Sequence, residues 1–260
     1  MNKLRTSRVE RASYGSYFAG QNLILIIVLQ FLMIFYTDVV GLPAAAVGTL
    51  FLVARIWDAI NDPIMGILVD RIHFKSGRFK PWISIAVFLL PLATILLFQN
   101  IGDTISTKLI YAYATYILWG MLYTVSDIPI FALATVMSDD EGERVNIIAI
   151  GRLAAGIGAL VGVVIIAPLS QSIGWSFASI VIAVIAFLLM LPVKYKAVER
   201  VLYKRSSDIP FKELMKSINE EPKLQSCKVF MLKTSDAHEL YKQFGYTELK
   251  QPEKVMERLL

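Results

Sequence analysis

Two carboxylates and a guanidinium stand inside an otherwise apolar stretch, Arg55-Ile-Trp-Asp58-Ala-Ile-Asn61-Asp62-Pro63. It is flanked by Val47-Gly-Thr-Leu-Phe-Leu-Val and Ile64-Met-Gly-Ile-Leu-Val, which leaves no room for a loop. On a helix, Asp58 and Asp62 stack one turn apart on one face, and Arg55 lies a turn earlier on the same stripe. An ionised group at bilayer depth costs roughly 2.5–3.5 kcal/mol on insertion scales, so it usually serves a site or a pathway. Two facing carboxylates in low dielectric cannot both stay ionised without a neutralising cation. The spacing therefore implies a cation-binding site with Arg55 as charge partner. The other reading is a salt-bridge cluster that only holds a bundle together, although two acids beside one base leave a charge uncompensated.

The elements that must carry these groups are membrane helices. The chain has 260 residues, of which 56% are hydrophobic and 18% charged, with a mean hydropathy of +0.58. Ordinary soluble domains are nearer 45–50% apolar and about 25% charged. Six stretches are long enough to span a bilayer: 17–36, 45–69, 82–98, 109–137, 145–169 and 175–193. The third is short, and its Pro81 suits a first helical turn. Pro63, Pro91, Pro129 and Pro168 fall in or near spans, where neighbouring groups re-satisfy the freed carbonyls. A first apolar segment of this length, with no small-residue cleavage site after it, does not read as a signal peptide.

Charge orients the spans. Lys3, Arg5, Arg8 and Arg11 precede the first; Arg71, Lys75, Arg78 and Lys80 join the second to the third. Lys194, Lys196, Arg200, Lys204 and Arg205 follow the sixth, whereas the opposite loops offer Lys108 and little else. The positive-inside rule then puts both termini in the cytoplasm of a multi-pass protein of the cytoplasmic membrane. The net charge of +5 is thus explained by topology and implies no nucleic-acid partner. The basic loop at Arg71, Arg78 and Lys80 is a topology determinant that could also gate by touching helix ends. A single cysteine, Cys227, excludes an internal disulfide framework and a cysteine metal cluster. His73 and His238 are too far apart in sequence to suggest a zinc pair. No cofactor is implied. In the fifth span Ala154, Gly158 and Gly162 form a ridge of small residues suited to close helix packing.

Four segments, taken in order, carry a family resemblance. They are Phe35-Tyr-Thr-Asp38-Val-Val-Gly41-Leu, the stretch Gly48 to Pro63, Gly77-Arg-Phe-Lys-Pro-Trp82, and Tyr123-Thr124-Val-Ser-Asp127-Ile-Pro129. Up to about residue 220 the chain resembles the glycoside–pentoside–hexuronide:cation symporters, the melibiose permease-like family of the major facilitator superfamily. The resemblance implies sugar transport driven by Na⁺, H⁺ or Li⁺. It implies a cation site of Asp58, Asn61, Asp62 and Thr124, whose hard oxygens suit Na⁺ or whose carboxylates carry H⁺. It also implies sugar contacts at Asp127 and Arg152, with Tyr123 and Phe131 as an apolar wall. Arg152 has a second reading as an ion partner of Asp127, and Asp127 a second reading as polar glue between helices. A first-helix aspartate that serves the sugar in the family stands here as Asn22, which leaves the identity of the sugar open.

The implied fold is all-α: six transmembrane helices, residues 1–195, arranged as three plus three in one half of a twelve-span transporter. A second six-helix half or a homodimer partner would complete it within the lipid bilayer. Residues 196–226 read as a cytoplasmic linker and 227–260 as a short α/β tail. In that tail, Leu232 to Tyr246 resembles the C-terminal end of a GNAT-type N-acetyltransferase, with Tyr241 placed like a catalytic tyrosine. The acetyl-CoA pyrophosphate loop is absent, so no enzyme is expected. An incomplete, non-functional fusion fragment is the main alternative, and a membrane-anchored acetyltransferase a lesser one.

Overall fold

The computed structural model describes residues 5–72, 74 and 77–201. The expected tail, 227–260, and nearly all of the linker, 196–226, lie outside the described residues. Within them the chain forms α1 (Arg8–Ile34), which runs on into a π-helical turn at Phe35–Val39, then α2 (Ala44–Arg71), α3 (Lys80–Leu97), α4 (Ile105–Met137), α5 (Glu141–Ile173) and α6 (Trp175–Lys196). All six are long and apolar enough to cross a membrane. The architecture is that of a half major facilitator fold, and the protein is a multi-pass membrane protein.

Several helices begin earlier than hydropathy suggests, because their first turns are polar and are fixed by caps. Ser7 and Glu10 form a reciprocal capping box that starts α1, Thr104 and Thr107 do the same for α4, and Asp140 accepts from Gly142 and Glu143 at the start of α5. Such caps satisfy backbone donors that the first turn leaves free. Pro81 does sit in the first turn of α3. Despite its 18 residues, α3 is half buried and packs on α4 and α6.

Helix α1 is the spine of the bundle. It packs chiefly on α5 and α6, while α2 leans on α4. The small-residue ridge of α5 makes this possible. A Cβ on Gly158 would run into the Ala19 carbonyl, and one on Gly151 would lie 2.8 Å from the Tyr14 ring. By contrast, α2 is only 22% buried, with Leu52, Ile56, Ile60 and Ile64 standing exposed at helical spacing.

At the end where α1 starts and α6 stops, the segment after α6 ties four helices together. The Glu199 carboxylate accepts the backbone N–H of Arg78, Phe79 and Lys80, at 2.8, 2.9 and 2.8 Å. These are donors at the N-terminus of α3, where a negative charge is favoured. Gly77 has φ +130° and its Cβ position lies 3.0 Å from Glu199 Oε1, so glycine is required there twice over. Arg200 pairs with Glu10 at 2.8 Å, and the Arg200 and Val201 amides donate to the Val136 carbonyl. Thr6 and Ser138 both donate to Glu143.

Candidate functional site

The acids lie where the helix face predicts. A cavity of about 370 Å³ opens between α1, α2 and α4, lined by Asp58, Asp62 and Asp127 together with Arg55, Tyr123 and Thr124. Three carboxylates face one guanidinium across it, so the lining has an excess of negative charge. Thr124 and Asp62 meet: Thr124 Oγ1 is 2.9 Å from Asp62 Oδ1 and 3.1 Å from the Gly120 carbonyl oxygen. One hydroxyl proton serves two acceptors. When it turns to Gly120, the lone pairs of Oγ1 face the Asp62 carboxylate, which brings hard oxygens of α2 and α4 side by side.

Asp58 has a looser partner. Arg55 Nη1 stands 3.6 Å from Asp58 Oδ2, and 64% of the arginine side chain is exposed. Such an open pair contributes little to stability, which argues against a purely structural ion cluster. Gly120 gives Asp58 its space, since a Cβ there would lie 3.2 Å from Asp58 Oδ1. Asn61 behaves differently from its neighbours. It is buried, its Nδ2 has no partner among the described residues, and it does not line the cavity. One residue step turns it about 100° from Asp62.

Asp127 faces the same cavity but is held from α1. Gln21 Nε2 donates to Asp127 Oδ1 and to Ser126 Oγ, each at 3.1 Å, and the Tyr17 hydroxyl lies 2.7 Å from Ser126 Oγ. Tyr17, Gln21 and Ser126 are completely buried. Arg152 does not reach Asp127; its guanidinium carbon lies 4.7 Å above the Phe131 ring. Phe18 in turn packs edge-on against Phe131 at 5.0 Å. Asn22 turns its amide back to the Phe18 carbonyl at 3.0 Å. Neither Asn22, Phe131 nor Arg152 lines the cavity.

Tyr123 ends a stack along α4. Tyr116 and Trp119 lie near parallel at 6.3 Å, Trp119 and Tyr123 at 5.3 Å. Trp119 Nε1 donates to Thr94 on α3 at 3.0 Å, which fixes the stack to the neighbouring helix. The basic residues Arg71, Arg78 and Lys80 do not line the cavity: Arg78 and Lys80 supply backbone donors to Glu199, and Arg71 is the exposed last residue of α2.

Sequence reasoning passed over Gln21, Ser126, Gly120 and Trp119. Gln21 carried a usable signal, as an amide in the middle of an apolar span. The other three were visible only once α1, α3 and α4 were side by side. Among the described residues, no group of three His, Cys, Asp or Glu side chains is placed to hold a metal ion.

Comparison with known proteins adds a family. The family model described as MFS/sugar transport protein matches residues 13–232. The chain is 34% identical over 242 residues to the uncharacterized symporter YnaJ of Bacillus subtilis, covering 89% of this chain and 52% of that protein. It is 35% identical over 222 residues to the isoprimeverose transporter of Lactiplantibacillus pentosus, covering 80% and 46%. With the inner membrane symporter YicJ of Escherichia coli it shares 34% identity over 199 residues, covering 74% and 43%. The chain spans about half the length of the curated relatives it matches.

Proposed function

The chain belongs to the MFS/sugar transport protein family, and on that premise we propose that it takes part in cation-coupled symport of a sugar or glycoside. The observation that carries the reading is the shared cavity of α2 and α4, where Thr124 meets Asp62 and Asp127 faces the same space. Na⁺ takes the oxygens of Asp58, Asp62 and Thr124, or H⁺ instead sits on one of the two carboxylates. The sugar then binds near Asp127 and Arg152, with Tyr123 at its side.

Coupling follows from charge. An unoccupied cavity whose charged groups are three acids and one arginine is costly to enclose, and a bound cation removes most of that cost. The loaded carrier therefore reorients more readily than the half-loaded one, which is alternating access by a shift of populations. Asp127 lies three residues after Thr124, so one face of α4 touches both ligands. The names of the relatives, symporters and an isoprimeverose transporter, support a glycoside substrate class. A second six-helix unit, separately supplied or a second copy of this chain, completes the pathway. The loops rich in lysine and arginine face the cytoplasm.

The test is uptake of a panel of radiolabelled glycosides into vesicles containing this chain, with and without an imposed Na⁺ or proton gradient. Gradient-driven accumulation of a glycoside is expected. Intact, inserted chain that accumulates none under any gradient, and that binds neither glycoside nor Na⁺ when titrated, would overturn the reading in favour of a non-functional fragment.

A further inference from the structure

Asp127 and Arg152 are opposite charges on neighbouring helices, within Coulombic reach of each other, yet among the described residues they form no ion pair. Each is held by something else. Asp127 accepts from the Gln21 amide at 3.1 Å, while Arg152 rests on the face of Phe131 at 4.7 Å, a cation–π contact. We propose that Gln21 and Phe131 are positioning residues that keep this acceptor and donor apart and open to sugar hydroxyls. The inference deepens the proposed function, since it rests on Asp127 and Arg152 meeting the sugar.

The brace behind Asp127 is built for rigidity. Gln21 is wholly buried, and its amide nitrogen also donates to Ser126, the residue beside Asp127. Tyr17, one turn before Gln21, bonds the same serine hydroxyl. The orientation of the Gln21 amide follows from chemistry, because an ionised carboxylate accepts and cannot donate. That orientation leaves Gln21 Oε1 buried without a partner among the described residues, a cost tolerated where a position must be held. A neutral amide holds the carboxyl group without bringing a counter-charge to it, so its other lone pairs stay open to a ligand. On the other side, Phe18 packs edge-on against Phe131 and fixes the ring on which Arg152 lies. Without these holders the two charges would close on each other and exclude the ligand.

The experiment is calorimetric titration of the purified full chain with p-nitrophenyl glycosides and, separately, with Na⁺. The variants are Gln21→Met, which keeps length but cannot donate, Phe131→Leu, and Asp127→Asn as reference. Expected is a rise of about tenfold or more in glycoside Kd for Gln21→Met and Phe131→Leu, with the Na⁺ Kd measured without sugar changed less than about twofold. That split separates positioning from general damage, because the cation residues lie in the same cavity. Unchanged glycoside affinity in Gln21→Met, beside a loss in Asp127→Asn, would overturn the proposal. So would equal losses of glycoside and Na⁺ binding, which would make the brace purely structural. A wild-type chain that binds Na⁺ but no glycoside would instead remove the sugar reading of Asp127, and this inference with it.

Discussion

Thr124 Oγ1 and Asp62 Oδ1 stand 2.9 Å apart across the contact of α4 with α2. On the proposed reading, deleting the hydroxyl removes one hard oxygen from the cation set and takes away the Thr124 donor to Asp62. Thr124→Ala is expected to raise the Na⁺ concentration for half-maximal uptake or binding about tenfold, roughly 1.4 kcal/mol. Thr124→Ser, which keeps the oxygen, should stay within about threefold. Equal effects of both variants would remove Thr124 from the site.

Gly120 makes room for Asp58. A methyl group 3.2 Å from Asp58 Oδ1 obliges the carboxylate to shift by a few tenths of an ångström. Gly120→Ala is expected to weaken Na⁺ binding severalfold while the chain still inserts and folds, with a cost of order 1 kcal/mol. Titration of Na⁺ into the purified variant, beside its thermal melting curve, reads both quantities.

Gly158 has a different office. Its Cβ would meet the Ala19 backbone, and backbone cannot swing aside as a long side chain can. Gly158→Val should separate α1 from α5 and lower stability by about 1–3 kcal/mol or more, the range of overpacked cores. A fall in melting temperature and in membrane yield, larger than for Gly156→Val where the position is open, checks this.

Glu199 binds three consecutive amides at the start of α3. Removing a charged acceptor from buried donors costs about 1–3 kcal/mol. Glu199→Ala is therefore expected to expose the backbone at 77–80 to protease, and Glu199→Gln to do so less. Equal protection of all three proteins would show that the carboxylate adds nothing there.

Much of this was legible in the sequence, and for physical reasons. An acid pair at i,i+4 in an apolar helix has one face to share, so the cavity position of Asp58 and Asp62 followed from periodicity alone. Small residues at Ala154, Gly158 and Gly162 announced a close helix contact. The helices begin before the apolar spans because hydropathy cannot see a polar first turn, although Ser7 and Glu10 already spelled a capping box. Asn61 was grouped with the acids by resemblance, but one residue of helical rotation carries it off the cavity lining. Gln21 and Glu199 act across 106 and up to 121 residues of sequence, and no local pattern reports such partners.

The central claim is that one cavity binds cation and sugar together, and linkage tests it most directly. Measure the Kd of a glycoside with and without Na⁺, and the Kd of Na⁺ with and without that glycoside, for the wild-type chain and for Asp62→Asn. Thermodynamic linkage requires the same factor in both directions. The expected result is mutual tightening by one factor, abolished in Asp62→Asn. Glycoside binding that is indifferent to every cation, with no change in the variant, would contradict the account.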